Sequence, residues 1–167
     1  MPIVEATPAR PAITSVTPRL LYRSLAVAEA ATWTMLITGM VLKYILKVTD
    51  IGVAIGGGLH GLVFVAYCMT VILVGVNQRW RAATIAVAMV AAVIPFATIP
   101  FERRVERTGY LEGGWRRITT DDPRDSRPLN RLLRWYLNHP AVLAVVSVAL
   151  LVAVVTALLI LGPPGGR

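Results

Sequence analysis

Two ionisable side chains, Glu29 and His60, sit in stretches that are otherwise almost wholly apolar, AVAEAATW around the first and IGGGLHGLVFVAY around the second. Carboxylates and imidazoles take up and release protons. Inside hydrocarbon each must either be satisfied by a specific partner or belong to a proton or solute path. Counting helical rises from the ends of the apolar runs puts Glu29 roughly 9 Å past Arg23 and His60 roughly 25 Å from Asn77 on the same side. The two then differ by about 15 Å in depth, so a direct pair is not expected. Glu29 comes level with Thr70 and Thr84 and within reach of a snorkelling Arg79 or Arg81. His60 comes level with Pro95 to Thr98. There Pro100 frees the Phe96 carbonyl, Pro95 frees that of Ala91, and the Thr98 hydroxyl offers a third partner.

Other chemistry finds little support. The chain has no HExxH, GxSxG or phosphate-loop pattern, and its single cysteine, Cys68, lies in an apolar run, which rules out an internal disulfide and argues against redox work. Asp121, Asp122 and Asp125 lack calcium-loop spacing and read as solvated loop charges, so no metal site or cofactor is implied. His139, before Pro140, reads as an interfacial residue at a helix start.

The elements that must carry these residues follow from composition. Apolar residues make up 56% of the 167, and the mean hydropathy is +0.64, more than one soluble core requires. A bilayer core about 30 Å thick needs around 20 helical residues. Four runs qualify, at 24–42, 51–76, 82–101 and 141–161. The net charge of +8 is spread between these runs instead of forming one basic face, which points to lipid head groups and away from nucleic acid. The expected fold is therefore an all-α membrane protein, a bundle of four transmembrane helices. A proline-bearing N-terminal tail over 1–18 is expected to be disordered, and it is followed by a three-helix core over 19–108. A basic loop over 109–139 comes next, its middle (GGWRRITTDDPRDSRP) flexible, then the fourth span at 140–161 and a short tail at 162–167.

Gly52 with Gly56, and Gly57 with Gly61, form small-xxx-small pairs that predict a packing seam beside His60. Ala26, Ala30, Thr34 and Thr38 form a similar stripe. So do Ala149, Ala153 and Ala157, which would support a homo-oligomer if left uncovered. Pro95 and Pro100 are expected to kink the third span. In PLNRLLRWYLNHP, Leu129, Leu132, Leu133, Tyr136 and Leu137 share one helical face, so a short amphipathic helix should lie on the membrane surface before the last span. Arg131, Arg134 and Trp135 would stand at head-group depth; a soluble partner docking on this face is the rival reading. Four spans place both termini on one side. Six basic residues on the termini and the 77–81 turn then face eleven opposite, favouring a cytoplasmic 102–139 loop in a multi-pass plasma-membrane protein.

AEAATW (28–33), GMVLKY (39–44), GLHGLVFVAY (58–67) and IPFATIPFERRVER (94–107) together resemble a family of small three-span membrane proteins of unknown function, common in actinobacteria and sometimes called YdzA-like. The resemblance covers about residues 19 to 108. It implies that Glu29, Lys43, Tyr44, His60, Gly61, Pro95, Phe96, Pro100, Phe101 and Glu102 belong to the family pattern. It brings no activity with it. The sequence thus supports a non-catalytic accessory or assembly component of a membrane complex, with a proton-linked transporter or channel subunit using Glu29 and His60 as the alternative.

Overall fold

A computed structural model describes residues 16–161, and the expectations for the two tails fall largely outside them. The described residues are helical, with no strand among them. Helix α1 (Pro18–Met40) starts where the Thr17 hydroxyl accepts the Leu20 amide at 3.1 Å and Pro18 occupies the first turn, which needs no amide donor. A π-helical turn, Val41–Ile45, extends it. Helix α2 runs Ile51–Asn77, α3 Ala82–Val93, α4 Thr98–Arg107, α5 Pro128–Asn138 and α6 Pro140–Leu161. Three stretches are long and apolar enough to cross a membrane: Pro18–Ile45, Ile51–Asn77 and Pro140–Ala157.

Helices α1 and α2 lie antiparallel and share the largest interface. Backbone approach sets their spacing: a Cβ on Gly39 would fall on the Gly52 carbonyl, and one on Gly56 would come within 3.0 Å of the Leu36 amide nitrogen and the Met35 carbonyl. Gly52 and Gly56 therefore lie in the seam, Gly52 against Gly39 and Gly56 against the Met35–Leu36 backbone. The second pair is not: a Cβ on Gly57 would only graze the Leu36 side chain at 3.8 Å, and one on Gly61 would meet nothing within 4 Å. The small stripe of α6 is likewise unpacked. Ala149, Ala153 and Ala157 are exposed, and α6 rests through Leu143, Ser147 and Leu151 on a crevice shared with α2 and α5.

The expected third span does not cross. At 12 residues α3 is only about 18 Å long. Pro95 pushes Ile94 into extended conformation and cannot donate to the Ala91 carbonyl, so the helix breaks instead of kinking. Phe96 follows at φ 63°, and α4 begins at Thr98 with Pro100 in its first turn, where a missing amide costs nothing. The Phe96 carbonyl is not left free, since it accepts the Ile99 amide at 3.2 Å. Three contacts with α1 fix the path. The Trp33 indole donates to the Ala92 carbonyl at 3.2 Å, the Thr98 hydroxyl donates to the Ala26 carbonyl at 3.1 Å, and Arg19 pairs with Glu106. Helix α3 climbs to the level of Trp33, and α4 descends beside α1 to the level of Arg19. Together they form a re-entrant hairpin that enters and leaves at one end of the bundle.

The segment after α4 consequently sits at the same end as the 77–81 turn, not opposite it. It is also tied down where flexibility was expected. The Trp80 indole donates to the Tyr110 carbonyl at 2.8 Å, Asn77 donates to the Gly114 carbonyl at 3.1 Å, and the Arg116 amide donates back to the Asn77 side chain at 2.9 Å. Asp125, expected to be solvated, is buried. It accepts the Thr120 amide at 2.9 Å, the Thr120 hydroxyl at 2.8 Å and the Arg79 guanidinium at 2.7 Å. Asp122 joins Arg79 to Arg124, while Asp121 alone of the three stays exposed. The Thr120 amide first, then its hydroxyl and the Arg79 guanidinium, outweigh burial and hold the Asp125 carboxyl down at about 2. In α5, Leu133 and Leu137 of the expected face are buried, Leu129 and Leu132 remain exposed, and Trp135 is exposed against His139. Arg134 turns inward, its guanidinium 2.7 Å from the Asp125 carbonyl, so of the expected head-group arginines only Arg131 remains outside.

Two outcomes follow. In a Cys68→Ala background, Arg81→Cys and Glu112→Cys should be labelled by a membrane-impermeant thiol reagent from one side and Val48→Cys from the other; a crossing third helix would separate the first two. Because the Asp125 carboxyl is depressed below its unfolded value near ~3.9, its contribution is complete above about pH 4 and is lost as pH falls through about 2. The hydrogen-exchange protection of the Thr120 amide should fall in that window, and Asp125→Asn should weaken it at every pH.

Candidate functional site: a buried carboxylate and imidazole

Helix α1 turns Tyr22, Ala26, Glu29 and Thr32 inward, a 4-3-3 spacing that keeps one face against its neighbours. Helix α2 brings His60, Phe64 and Tyr67 along its own inner face. The hydroxyls of Tyr22 and Tyr67 meet at 2.8 Å, both rings fully buried, and this contact sets the axial register of the two helices. Glu29 lies seven residues beyond Tyr22, and His60 lies seven residues before Tyr67. In antiparallel helices both displacements are the same two turns, about 10 Å in one direction. Glu29 and His60 therefore arrive at one level, with Glu29 Oε2 3.6 Å from His60 Nδ1.

This overturns the expected separation. The depth count took Arg23 as level with Asn77, whereas the residue beside Arg23 meets Tyr67, ten positions earlier in α2. The expected partners change accordingly. Arg79 is engaged by Asp122 and Asp125, and the Thr98 hydroxyl is spent on the Ala26 carbonyl and serves no imidazole. Thr98 still helps the site by pinning the hairpin next to it.

The imidazole is oriented by three neighbours. The Thr32 hydroxyl donates to the Glu29 carbonyl at 2.9 Å, so its one proton is used, and its contact with His60 Nδ1 at 3.2 Å requires Nδ1–H to be the donor. The Trp33 ring stands 4.3 Å from the imidazole, centroid to centroid, and Phe64 closes a further side at 6.2 Å. Because Trp33 also donates to Ala92, the hairpin tip and the imidazole are braced by one indole. Glu29 itself is fully buried, and neither carboxylate oxygen has a hydrogen-bond partner among the described residues. A distance of 3.6 Å is too long for a hydrogen bond, and a small movement of either side chain would bring Nδ1–H within bonding range of the carboxylate. A buried carboxyl without a hydrogen bond is costly unless it is protonated, and the neighbouring imidazole is the one other group in this contact that titrates.

Sequence reasoning missed Tyr22, Thr32, Trp33 and Gly39. All but Trp33 were accessible in principle, because Tyr22, Thr32 and Gly39 lie on the buried face that Glu29 marks, at successive spacings of seven, three and seven. Among the described residues no group of three or more His, Cys, Asp or Glu side chains could hold a metal ion.

Residues 20–107 match a family described as a domain of unknown function, DUF3817. The match runs from the first turn of α1 to the last residue of α4, so it contains the pair and the hairpin and stops before α5 and α6. A protein of Streptomyces coelicolor, provisionally described as a membrane protein, is 45% identical over 113 residues, which cover 66% of this chain and 13% of the relative. This chain thus corresponds to a small part of that relative's length. No solved structure matches the chain.

If the tyrosine contact sets the register, Tyr22→Phe and Tyr67→Phe should each cost about 1–2 kcal/mol by leaving a buried hydroxyl unpartnered. The double variant should cost less than the sum by about 1 kcal/mol, read from unfolding midpoints in detergent.

Proposed function

Because this chain belongs to the DUF3817 family, whose description assigns no activity, we propose its role from geometry and from the length relation with its relative: a non-catalytic accessory or assembly module of a larger membrane complex. The carrying observation is that the region matched in the Streptomyces coelicolor protein is 13% of a much longer chain, the arrangement expected of a module that works attached to other polypeptide. The bareness of α6 supports it, since no residue of its apolar window is buried and its alanine stripe is open to a close-packing helix. The narrower likeness to YdzA-like proteins rests on the quoted motifs alone. The module belongs in the plasma membrane, with the arginine-rich end cytoplasmic. Arg19, Arg23, Arg79, Arg81 and the arginines from 103 to 134 gather at that end, against Lys43 and Lys47 at the other, which reinforces the positive-inside argument.

The unpartnered Glu29 carboxylate beside His60 favours a second reading, in which the module carries a proton for the complex it joins. Its prediction is direct: reconstituted protein should move protons down an imposed gradient, and Glu29→Gln and His60→Ala should each abolish that flux without loss of folded protein. Wild-type vesicles as tight as protein-free ones would end this reading.

For the accessory reading, a photo-crosslinking amino acid at Ala149 or Ala153 should capture one discrete second polypeptide in native membranes, and at Leu143 should capture only the chain itself. Adducts to lipid alone overturn it, and adducts between two copies of this chain assign the face to a homo-oligomer instead.

A further inference from the structure

Helix α4 has two unlike faces. Thr98, Glu102 and Val105 are buried, whereas Arg103, Arg104 and Arg107 are exposed on the far side. With Ile99, Pro100 and Thr108 they line an open cavity of about 460 Å³. Among the described residues none of these three arginines has a carboxylate within ion-pair distance, although Arg19, Arg79, Arg116, Arg124 and Arg134 at the same end all do. Of the acidic residues of α4, Glu106 pairs with Arg19, and Glu102 lies on the buried face outside the cavity lining, with one carboxylate oxygen unpartnered among the described residues.

Depth gives the cavity its meaning. The Arg19–Glu106 pair ties the last turn of α4 to the first turn of α1, where the apolar run of α1 begins with Leu20 and Leu21. The guanidinium groups therefore stand at head-group level. Ile99 and Pro100 lie one to two turns deeper, where acyl chains start. Basic below and apolar above, on one face and around one cavity, is the pattern of a phospholipid molecule.

We infer that Arg103, Arg104 and Arg107 bind the phosphate of an anionic phospholipid, with Ile99 and Pro100 receiving the start of an acyl chain. The helix C-terminus nearby disfavours an anion, so the guanidinium groups must carry the binding. Three planar donors that can engage phosphate oxygens bidentately suit that task. Free phosphate would leave the apolar half of the site empty, and a zwitterionic lipid would bring its own cation against the arginines. The site is independent of the role proposed for Glu29, His60 or α6.

The test is lipid retention. Full-length protein in nanodiscs of equal phosphatidylglycerol and phosphatidylcholine is released into the gas phase, and bound lipids are counted by native mass spectrometry. Wild type should retain phosphatidylglycerol at least tenfold over phosphatidylcholine, unaffected by inorganic phosphate in the buffer. Arg103→Gln/Arg107→Gln should reduce that retention several-fold, whereas Arg117→Gln, which neutralises an exposed loop arginine outside the cavity, should not, and Arg103→Lys/Arg107→Lys should restore part of it. Equal retention of the two lipids by wild type overturns the inference even if the glutamine variant fails to fold. So does equal loss with Arg117→Gln, and displacement by millimolar phosphate assigns the arginines to a soluble anion instead.

Discussion

The register between α1 and α2 governs the rest of the molecule. It is fixed at both ends by different physics: backbone touching backbone at Gly39, Gly52 and Gly56, and hydroxyl touching hydroxyl at Tyr22 and Tyr67. Between those points the two helices have no freedom to slide. Any residues equidistant from the tyrosines must face one another, and Glu29 and His60 are such a pair. Lipid provides no apolar drive for helices to associate, so close van der Waals approach and a few buried hydrogen bonds have to do the work. The placement of the two ionisable groups is a consequence of this contact and not of any attraction between them.

The hairpin of α3 and α4 relies on the same frame. Irregular backbone at membrane depth is tolerated only where protein covers it or satisfies it locally. Around the break, the Ala97 amide reaches the Ile94 carbonyl at 3.1 Å, while Trp33 and Thr98 tie both arms to α1. At the base, the Asp125 cluster and Asn77 hold the following segment against the ends of α2 and the 77–81 turn. The whole arginine-rich end is thereby one connected body, with α6 leaving it through the His139–Pro140 joint.

The sequence made some of this legible. Helical content and three long spans follow from run length and hydropathy, because an unpaired backbone cannot be left in lipid whatever the details. The Gly52–Gly56 seam was readable from residue size, but of the stripe Ala26, Ala30, Thr34 and Thr38 only Ala26 is buried, because the inner face of α1 runs through Tyr22, Glu29 and Thr32 instead. The third span misled because 82–101 has the length and apolarity of a crossing, and hydropathy cannot tell a helix that bends at Pro95 from one that turns back there. The partner of Glu29 was misjudged for a related reason. Depth was measured from the charges at the ends of apolar runs, and charge ends mark where water begins, not where two helices touch. The loop was read as mobile because its turn formers and mixed charges are also what a cross-linked loop contains; long-range ties such as Asp125 to Arg79 and Asn77 to Gly114 distinguish the two.

A hairpin that stops near the level of Trp33, about 20 Å above Leu20, leaves roughly the last third of a ~30 Å core without its two arms, beyond an exposed tip at Val93, Ile94 and Phe96. Once the three long helices cross, the molecule is broader in the leaflet nearest its arginines than in the opposite one. Acyl chains around the tip must tilt or shorten to fill the space beyond it. The cross-section therefore tapers from the arginine-rich end toward Lys43 and Lys47, the shape of a wedge.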